Sequence, residues 1–261
     1  VVLDTEYDAS FSQSISTSEG SFSLTPIQRW FFENIRVDIN HWNMSFLLYA
    51  PSTLNLADLK QIIFSIAKRH EELSLRFERY ADTTMQYVDR KADIAEACHE
   101  VHLEENQNEA VERLIWEESN KWQPTLDLEH GPLARFVLIN LQNEKSKRLM
   151  VIVHHLIADL VTCKLLVDEI NFGFNRLQNN QKSSGQKDMF SFRTWSAILN
   201  GLAYSEEINS EFEYWNRKVE LIAKAASLRR HALVQQNDNQ GNPAQVRVVL
   251  DTTATHNLLS I

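Results

Sequence analysis

The sequence contains little cysteine, glycine or proline, and it has no long hydrophobic run. Among its 261 residues are 2 cysteines, 6 glycines and 5 prolines. Two cysteines cannot build a disulfide framework, and so few glycines and prolines exclude collagen-like and low-complexity chains. No stretch reaches the roughly 18 to 20 apolar residues that span a bilayer, and residues 1–20 lack the pattern of a secretory signal. We therefore expect a cytoplasmic protein with reduced thiols and no membrane contact.

Basic residues are also in the minority. The chain has 26 lysines and arginines against 35 aspartates and glutamates, which gives a formal net charge of −9 at pH 7. No basic run suggests an arm that binds nucleic acid, so we expect no nucleic-acid partner. Hydrophobic residues make up 43% of the chain, which is enough for a folded core and excludes a mainly disordered protein.

Helical and strand-like patterns alternate irregularly, which predicts an α/β fold. Thr25 and Pro26 are typical of the N-cap and first position of a helix that should end near Asn34. Further helices are predicted over 55–70, 106–122, 156–180, 191–202, 206–221 and 252–261. Strands are predicted over 41–49, 73–77, 84–89, 100–103, 131–141, 148–153 and 245–250.

The segment most indicative of chemistry follows the apolar strand predicted over 148–153. That strand leads into His154 and His155, and Asp159 comes four residues after the second histidine. Adjacent side chains at a strand end point in opposite directions, so both imidazoles cannot readily bind one metal, and no Cys/His cluster supplies further ligands. One imidazole facing a cleft could move a proton near neutral pH. The spacing alone favours two ordinary histidines that end a strand.

Several segments resemble, in order and spacing, the motifs of the condensation-domain superfamily of nonribosomal peptide synthetases. They are SLTPIQRWFF at 23–32, RHEELSLRF at 69–77, LDLEHGPL at 126–133, HHLIAD at 154–159, and FRTW at 192–195 with EYW at 213–215. The fourth of these is similar to the HHxxxD signature of the superfamily.

This resemblance implies a chloramphenicol-acetyltransferase-like α/β fold, built in complete members from two lobes with a tunnel between them. Residues 23–230 would form the N-terminal lobe, with 1–22 as a leader or linker and 231–261 as the crossover and start of the C-terminal lobe. The implied substrates are thioesters on the phosphopantetheine of a peptidyl carrier protein, with no cofactor bound directly. Neighbouring synthetase domains and the C-terminal lobe are the other implied partners.

The resemblance also assigns roles to individual residues. His155 would face the tunnel as the catalytic acid/base group, while His154 would pack behind it and Asp159 would support the structure. Gln28 and Arg29 are candidates for lining the tunnel. The second acid/base group, typically a glutamate, would belong to the C-terminal lobe, so the lobe alone is expected to be inactive.

Two reactions share this scaffold, amide-forming condensation and epimerization of a tethered α-carbon. Condensation domains that join L-residues usually have glycine after the motif aspartate, whereas Leu160 follows Asp159 here. The sequence DLVTCKLL at 159–166 resembles the epimerization pattern DxVSWRIL instead. PIQRWFF at 26–32 and HWN at 41–43 are similar to epimerization domains as well. Epimerization is therefore favoured, and condensation remains the alternative.

A departure from the family pattern leaves a third hypothesis open. The final arginine of the RHExLR motif commonly pairs with the motif aspartate, and Ser74 stands at that position. Arg76 lies two residues later, on the same face of a strand, and is the candidate replacement as the partner of Asp159. If Arg76 does not serve, the domain could be a noncatalytic one that only docks carrier proteins or other partners.

Overall fold

The computed structural model describes six stretches of the chain, 20–80, 83–104, 108–141, 146–179, 191–233 and 249–259. The helices in these stretches are α1 (Pro26–Asn34), α2 (Leu56–Ala67), α3 (Asn108–Trp122), α4 (Leu160–Gln178), α5 (Phe192–Leu202), α6 (Glu206–Leu233) and α7 (Thr252–Leu259). The strands are β1 (Asn43–Pro51), β2 (Leu75–Arg79), β3 (Thr84–Val88), β4 (Cys98–Leu103), β5 (Ala134–Leu141) and β6 (Ser146–His154). The chain divides into two compact units, Val1–Phe212 and Glu213–Ile261.

The main sheet places β6 near its centre, in the strand order β1-β6-β5-β4. β6 runs antiparallel to both of its neighbours, and β5 is parallel to β4. At its carboxyl end, His154 lies opposite Asn43 of β1, and Val153 lies opposite Ala134 of β5. A separate hairpin pairs β2 with β3. The carboxyl end of β6 is thus held by partners on both sides, which fixes where the two histidines leave the sheet.

Two apolar layers cover the faces of the main sheet. On one face, Phe136 and Val151 join a core that includes residues of α1, α2 and α4. On the other face, Val137 and Ile152 pack with apolar side chains of α3. Successive residues of a strand point to opposite faces, so the continuous apolar sequences of β5 and β6 supply both layers. This confirms the predicted α/β fold and shows that β5 and β6 are buried on both faces.

The predicted elements agree with the structure apart from their ends and the segments that lie outside the described residues. The helix predicted over 206–221 continues to Leu233, because the alanines, leucines and arginines that follow are good helix formers even without an apolar stripe. Most of the strand predicted over 245–250 and most of the leader predicted over 1–22 lie outside the described residues. Phe22, at the end of that leader, is buried and pairs with Gln86. Within the described stretches, no helix has the length and apolarity to cross a membrane.

Candidate active site

The HHxxxD motif lies at the turn between β6 and α4, residues 155–159, which we call the motif turn. His154 is the last residue of β6, His155 begins the turn, and Asp159 is the N-cap of α4. The backbone N–H of His155 donates to the carbonyl of Trp42 at 2.8 Å, one step beyond the pairing of His154 with Asn43. This bond extends the β1–β6 ladder past the strand end. The two imidazoles therefore leave the backbone on opposite sides, as the sequence predicted.

His154 is fully buried and has both ring nitrogens engaged. Its Nε2 lies 2.8 Å from the carbonyl of Ile39, and its Nδ1 accepts the backbone N–H of Leu156 at 3.2 Å. A carbonyl can only accept, so Nε2 carries the proton and the ring is the neutral tautomer. Burial lowers the pKa of His154 to about 4. His154 thus holds the turn against the core and is not available for proton transfer at neutral pH.

His155 has the opposite environment. Its side chain is exposed, and its Nδ1 lies 2.8 Å from the carbonyl of Ala158. Since that carbonyl is an acceptor, Nδ1 carries the proton in the neutral ring and Nε2 presents its lone pair. A base with one fixed tautomer and an exposed Nε2 can take a proton from a substrate. One imidazole is thus buried and the other exposed, as the resemblance implied, and the catalytic role of His155 stays a prediction.

Aromatic rings surround the base on the side of α1 and β1. The rings of His155 and Trp42 are tilted by 35° with centroids 5.1 Å apart. Trp42 also stacks on Phe31 at 4.7 Å and contacts Trp30 at 6.1 Å. The sequence interpretation did not single out Trp42 as a site residue. Trp42 could have been found only from the antiparallel pairing of β1 with β6. In that pairing, the residue before β1 lies beside the residue after β6, which is His155.

Asp159 is an exposed helix cap. Its Oδ1 accepts the backbone N–H of Thr162 at 2.7 Å and the Thr162 hydroxyl at 2.8 Å. These two donors lower the pKa of the Asp159 carboxyl. The support role implied for Asp159 agrees with this geometry. The pairing with Arg76 that the sequence suggested is wrong, because Arg76 is bonded elsewhere.

Arg76 is buried in the β2–β3 hairpin and is bonded to the loop that precedes β5. Its Nε donates to the carbonyl of His130 at 3.0 Å, its Nη1 to the carbonyl of Leu75 at 2.7 Å, and its Nη2 lies 3.7 Å from Asp89 Oδ2. Burial lowers the pKa of the guanidinium, and the charge of Asp89 offsets part of that effect. Gly131, at φ +79°, leaves room for this side chain, since a Cβ there would lie 2.2 Å from Arg76 Cζ. Arg76 thus supports the segment that leads into β5.

Gln28 does not line an open surface, in contrast to the prediction. It is fully buried, its Oε1 accepts the Thr25 backbone N–H at 2.9 Å, and its Nε2 donates to the carbonyl of Leu156 at 3.2 Å. The first bond belongs to a capping box at the start of α1, and the second ties α1 to the motif turn. A capping-box glutamine faces its own helix start, which is why it turns inward here.

Arg29 is exposed, as a tunnel-lining residue would need to be. Its Nη2 donates to Asn200 Oδ1 at 3.1 Å. With Arg36 and Arg79 it lines a cavity of about 450 Å³ between α1 and the β2–β3 hairpin. Its contact with a tunnel stays a prediction.

A second cavity, of about 330 Å³, opens beside the motif turn. Its walls are largely apolar and include Ile157, Leu165, Leu166, Phe192 and Trp195. Such a space can take a hydrocarbon group next to the turn that carries His155. Among the residues described, no cluster of three or more His, Cys, Asp or Glu side chains could hold a metal ion.

The sequence also predicts that Trp30, Phe31, Phe32 and Cys163 belong to the core, and the structure confirms three of these four assignments. Cys163 is buried, its thiol lies 3.9 Å from Met44 Sδ, and burial raises its pKa, as expected of a core thiol. Phe31 is fully buried and Phe32 is partly buried, as predicted. Trp30 is 47% exposed, so its assignment to the core was wrong. It lies at the outer edge of the aromatic group beside His155.

Comparison with known proteins identifies the family. The model of the condensation domain matches residues 18–261. The chain belongs to the condensation-domain family. It is 31% identical over 265 residues to chondramide synthase cmdD of Chondromyces crocatus, covering 96% of this chain and 6% of that protein. It is 28% identical to gramicidin S synthase 1 of Brevibacillus brevis, covering 92% of this chain and 21% of that protein.

Solved structures agree with this assignment. The epimerization domain from the third module of tyrocidine synthetase B matches with a TM-score of 0.67 and 28% identity, over 76% of this chain and 43% of that one. The starter condensation domain of rhizomide synthetase matches with a TM-score of 0.63 at 15% identity, which shows the shared fold. The described fold is therefore the chloramphenicol-acetyltransferase-like fold of these domains, and the chain spans less than half of each.

Proposed function

We propose that this chain forms the N-terminal lobe of a nonribosomal peptide synthetase domain that epimerizes the α-carbon of a tethered aminoacyl or peptidyl group. The substrate would be a thioester on the phosphopantetheine of a carrier protein, and a C-terminal lobe would complete the site. The observation that carries the proposal is the exposed His155, with Nδ1–H fixed on Ala158 and Nε2 free to act as a base. The absence of glycine after Asp159 and the 28% identity to an epimerization domain favour this reaction over condensation.

In the proposed reaction, His155 removes or returns one proton. Nε2 takes the proton from the α-carbon, and the electron pair of that C–H bond moves toward the thioester carbonyl. The ring becomes an imidazolium whose Nδ1–H still donates to the carbonyl of Ala158, so this hydrogen bond is kept during the transfer. A second acid/base group, contributed by the C-terminal lobe, returns a proton to the opposite face. The thioester is regenerated with the α-carbon inverted.

His154 contributes by remaining inert. Two imidazolium ions on adjacent residues would repel each other, and the neutral, buried His154 avoids this conflict while His155 is protonated. The bond from Gln28 Nε2 to Leu156 holds the same turn from the side of α1. The base His155 thus lies on a turn that is held both by His154 and by Gln28.

Solvent deuterium exchange tests the proposal. The two-lobe domain that contains this chain is given an aminoacyl carrier protein in deuterated water, without an acceptor amine. Epimerization requires breaking the Cα–H bond, so deuterium should enter at that carbon. His155→Ala should lower the exchange rate by about 10² to 10⁴. His102→Ala removes another exposed histidine, on β4, and should leave the rate unchanged.

The outcomes separate the alternatives. No exchange, together with amide formation when an amine-bearing carrier protein is added, would replace epimerization by condensation. Neither activity in a folded domain that still binds carrier protein would leave only the noncatalytic docking role. The 261-residue chain tested alone should not invert the α-carbon, because in this proposal the second acid/base group belongs to the other lobe.

A further inference from the structure

The exposed imidazole of His155 contacts a backbone carbonyl and an aromatic ring. Its Nδ1 is hydrogen-bonded to the carbonyl of Ala158, and its ring lies beside the indole of Trp42. A hydrogen bond at Nδ1 alone would let the imidazole ring swing about the direction of that N–H···O bond. The indole of Trp42, with its centroid 5.1 Å away and its plane tilted by 35°, is in a position to limit that swing.

Trp42 is itself held firmly. Its ring stacks on the fully buried Phe31, with centroids 4.7 Å apart and planes 20° apart. Its carbonyl accepts the backbone N–H of His155 at 2.8 Å, so backbone and side chain of Trp42 both contact the same histidine. Phe31 in turn contacts His154 edge-to-face at 5.8 Å. The indole is therefore anchored in the core on one side and contacts the exposed base on the other.

The indole suits both protonation states of the base. A neutral imidazole packs on it as one aromatic ring on another, and a protonated imidazole within about 6 Å of an indole face is attracted by the ring quadrupole. A hydrogen-bonding side chain at the same place would favour one state and compete for Nε2. Trp42 supports the ring without engaging the nitrogen that reacts.

We propose that Trp42 is the positioning residue of this site, holding His155 in the orientation from which Nε2 exchanges a proton with substrate. This rests on the proposed function, in which His155 is the acid/base group. Trp42 acts through His155 and is not assigned a contact with the reacting carbon. Its large, rigid ring is needed because a base displaced by about 1 Å can lose on the order of 10²-fold in rate.

The first test uses the 261-residue chain and needs no substrate. The ring protons of His155, assigned by their loss in His155→Ala, should show a ring-current shift from the indole in the NMR spectrum. Trp42→Leu should abolish that shift, and Trp42→Phe should keep part of it. Trp116→Leu removes an exposed tryptophan on α3 and should leave it unchanged. An unchanged His155 spectrum in Trp42→Leu would overturn the proposed contact.

The second test measures turnover in the two-lobe domain. Trp42→Leu should lower kcat for exchange by about 10- to 100-fold and change KM by less than about twofold, because substrate binding is not removed. Trp42→Phe should recover most of the loss, since it restores a ring in the same place. The backbone bond from His155 to residue 42 remains in both variants, so the side chain alone is tested.

The two tests fail in different ways. If the wild-type domain shows no exchange, the proposed function is wrong, while the NMR comparison still decides whether Trp42 holds the imidazole. If the wild type exchanges and Trp42→Leu matches it in kcat, the positioning role is wrong and the proposed function stands. If Trp42→Leu does not fold, Trp42→Phe and Trp42→Met are compared in its place. Equal kcat values for these two variants would also overturn the positioning role.

Discussion

Replacing His154 by glutamine tests whether a neutral, buried imidazole holds the motif turn. Glutamine is a neutral amide that can donate to the Ile39 carbonyl, as His154 Nε2 does, but it does not titrate. It cannot also accept the Leu156 N–H from the position of Nδ1. Leaving that buried donor unpaired should cost about 1 to 3 kcal/mol at every pH.

The pH dependence carries the sharper prediction. Folded His154 has a pKa of about 4, below the ordinary value of 6.5, so between these values the unfolded chain binds more protons than the folded one. Stability is therefore fully present above 6.5 and is lost as the pH falls from 6.5 toward 4. The difference in pKa implies a loss of about 2 kcal/mol between about pH 7.5 and pH 5.

Urea denaturation at the two pH values measures this loss. Other groups titrate as well, so the quantity to compare is the change in wild type minus the change in His154→Gln, in which the histidine contribution is absent. His102→Ala is the matched control, because it removes an exposed histidine of β4 and leaves both His154 and His155 in place, so the contribution of His154 should be kept. Equal pH dependence in wild type and His154→Gln would show that His154 is not held neutral by burial.

Two further substitutions test the supports of the site by thermal or urea denaturation. Asp159→Ala removes the N-cap of α4 and should lower the free energy of unfolding by about 1 kcal/mol, whereas Asp168→Ala removes only an exposed pair with Lys164 and should cost a few tenths. Equal losses would mean that the cap is not formed. Gly131→Ala places a Cβ 2.2 Å from Arg76 Cζ at φ +79° and should cost about 2 to 3 kcal/mol. An alanine variant as stable as the wild type would mean that Arg76 is free to move aside.

The strand, turn and helix around the motif could be predicted from the sequence because each has a local signal. The apolar run before His154 gives the strand, and the change to helical spacing after it gives the helix. Asp159 with Thr162 three residues later is an N-cap pattern, although the cap itself was not anticipated. Alternation of side chains along a strand was sufficient to separate the two imidazoles.

Contacts between distant segments could not be predicted in the same way. Gln28 and Leu156 are 128 residues apart, and nothing near either residue indicates that they meet. The alternation of side chains along a strand correctly placed Arg76 on a strand. It could not show that this strand belongs to a separate hairpin, in which Arg76 lies near Asp89. Trp42 is missed for the same reason, since its role depends on which strand pairs with β6.

The two adjacent histidines have different environments because β6 ends between them. His154 is the last residue of β6 and points into the core, where desolvation keeps it neutral, whereas His155 lies past the strand end and points to solvent. Each ring has its tautomer fixed by backbone groups of the same turn, at Leu156 for the first and at Ala158 for the second. A register shift of one residue between β1 and β6 would exchange the two environments and bury the base. The bond from His155 N–H to the Trp42 carbonyl opposes that shift, so the residue that we propose to orient the imidazole also fixes the register that exposes it.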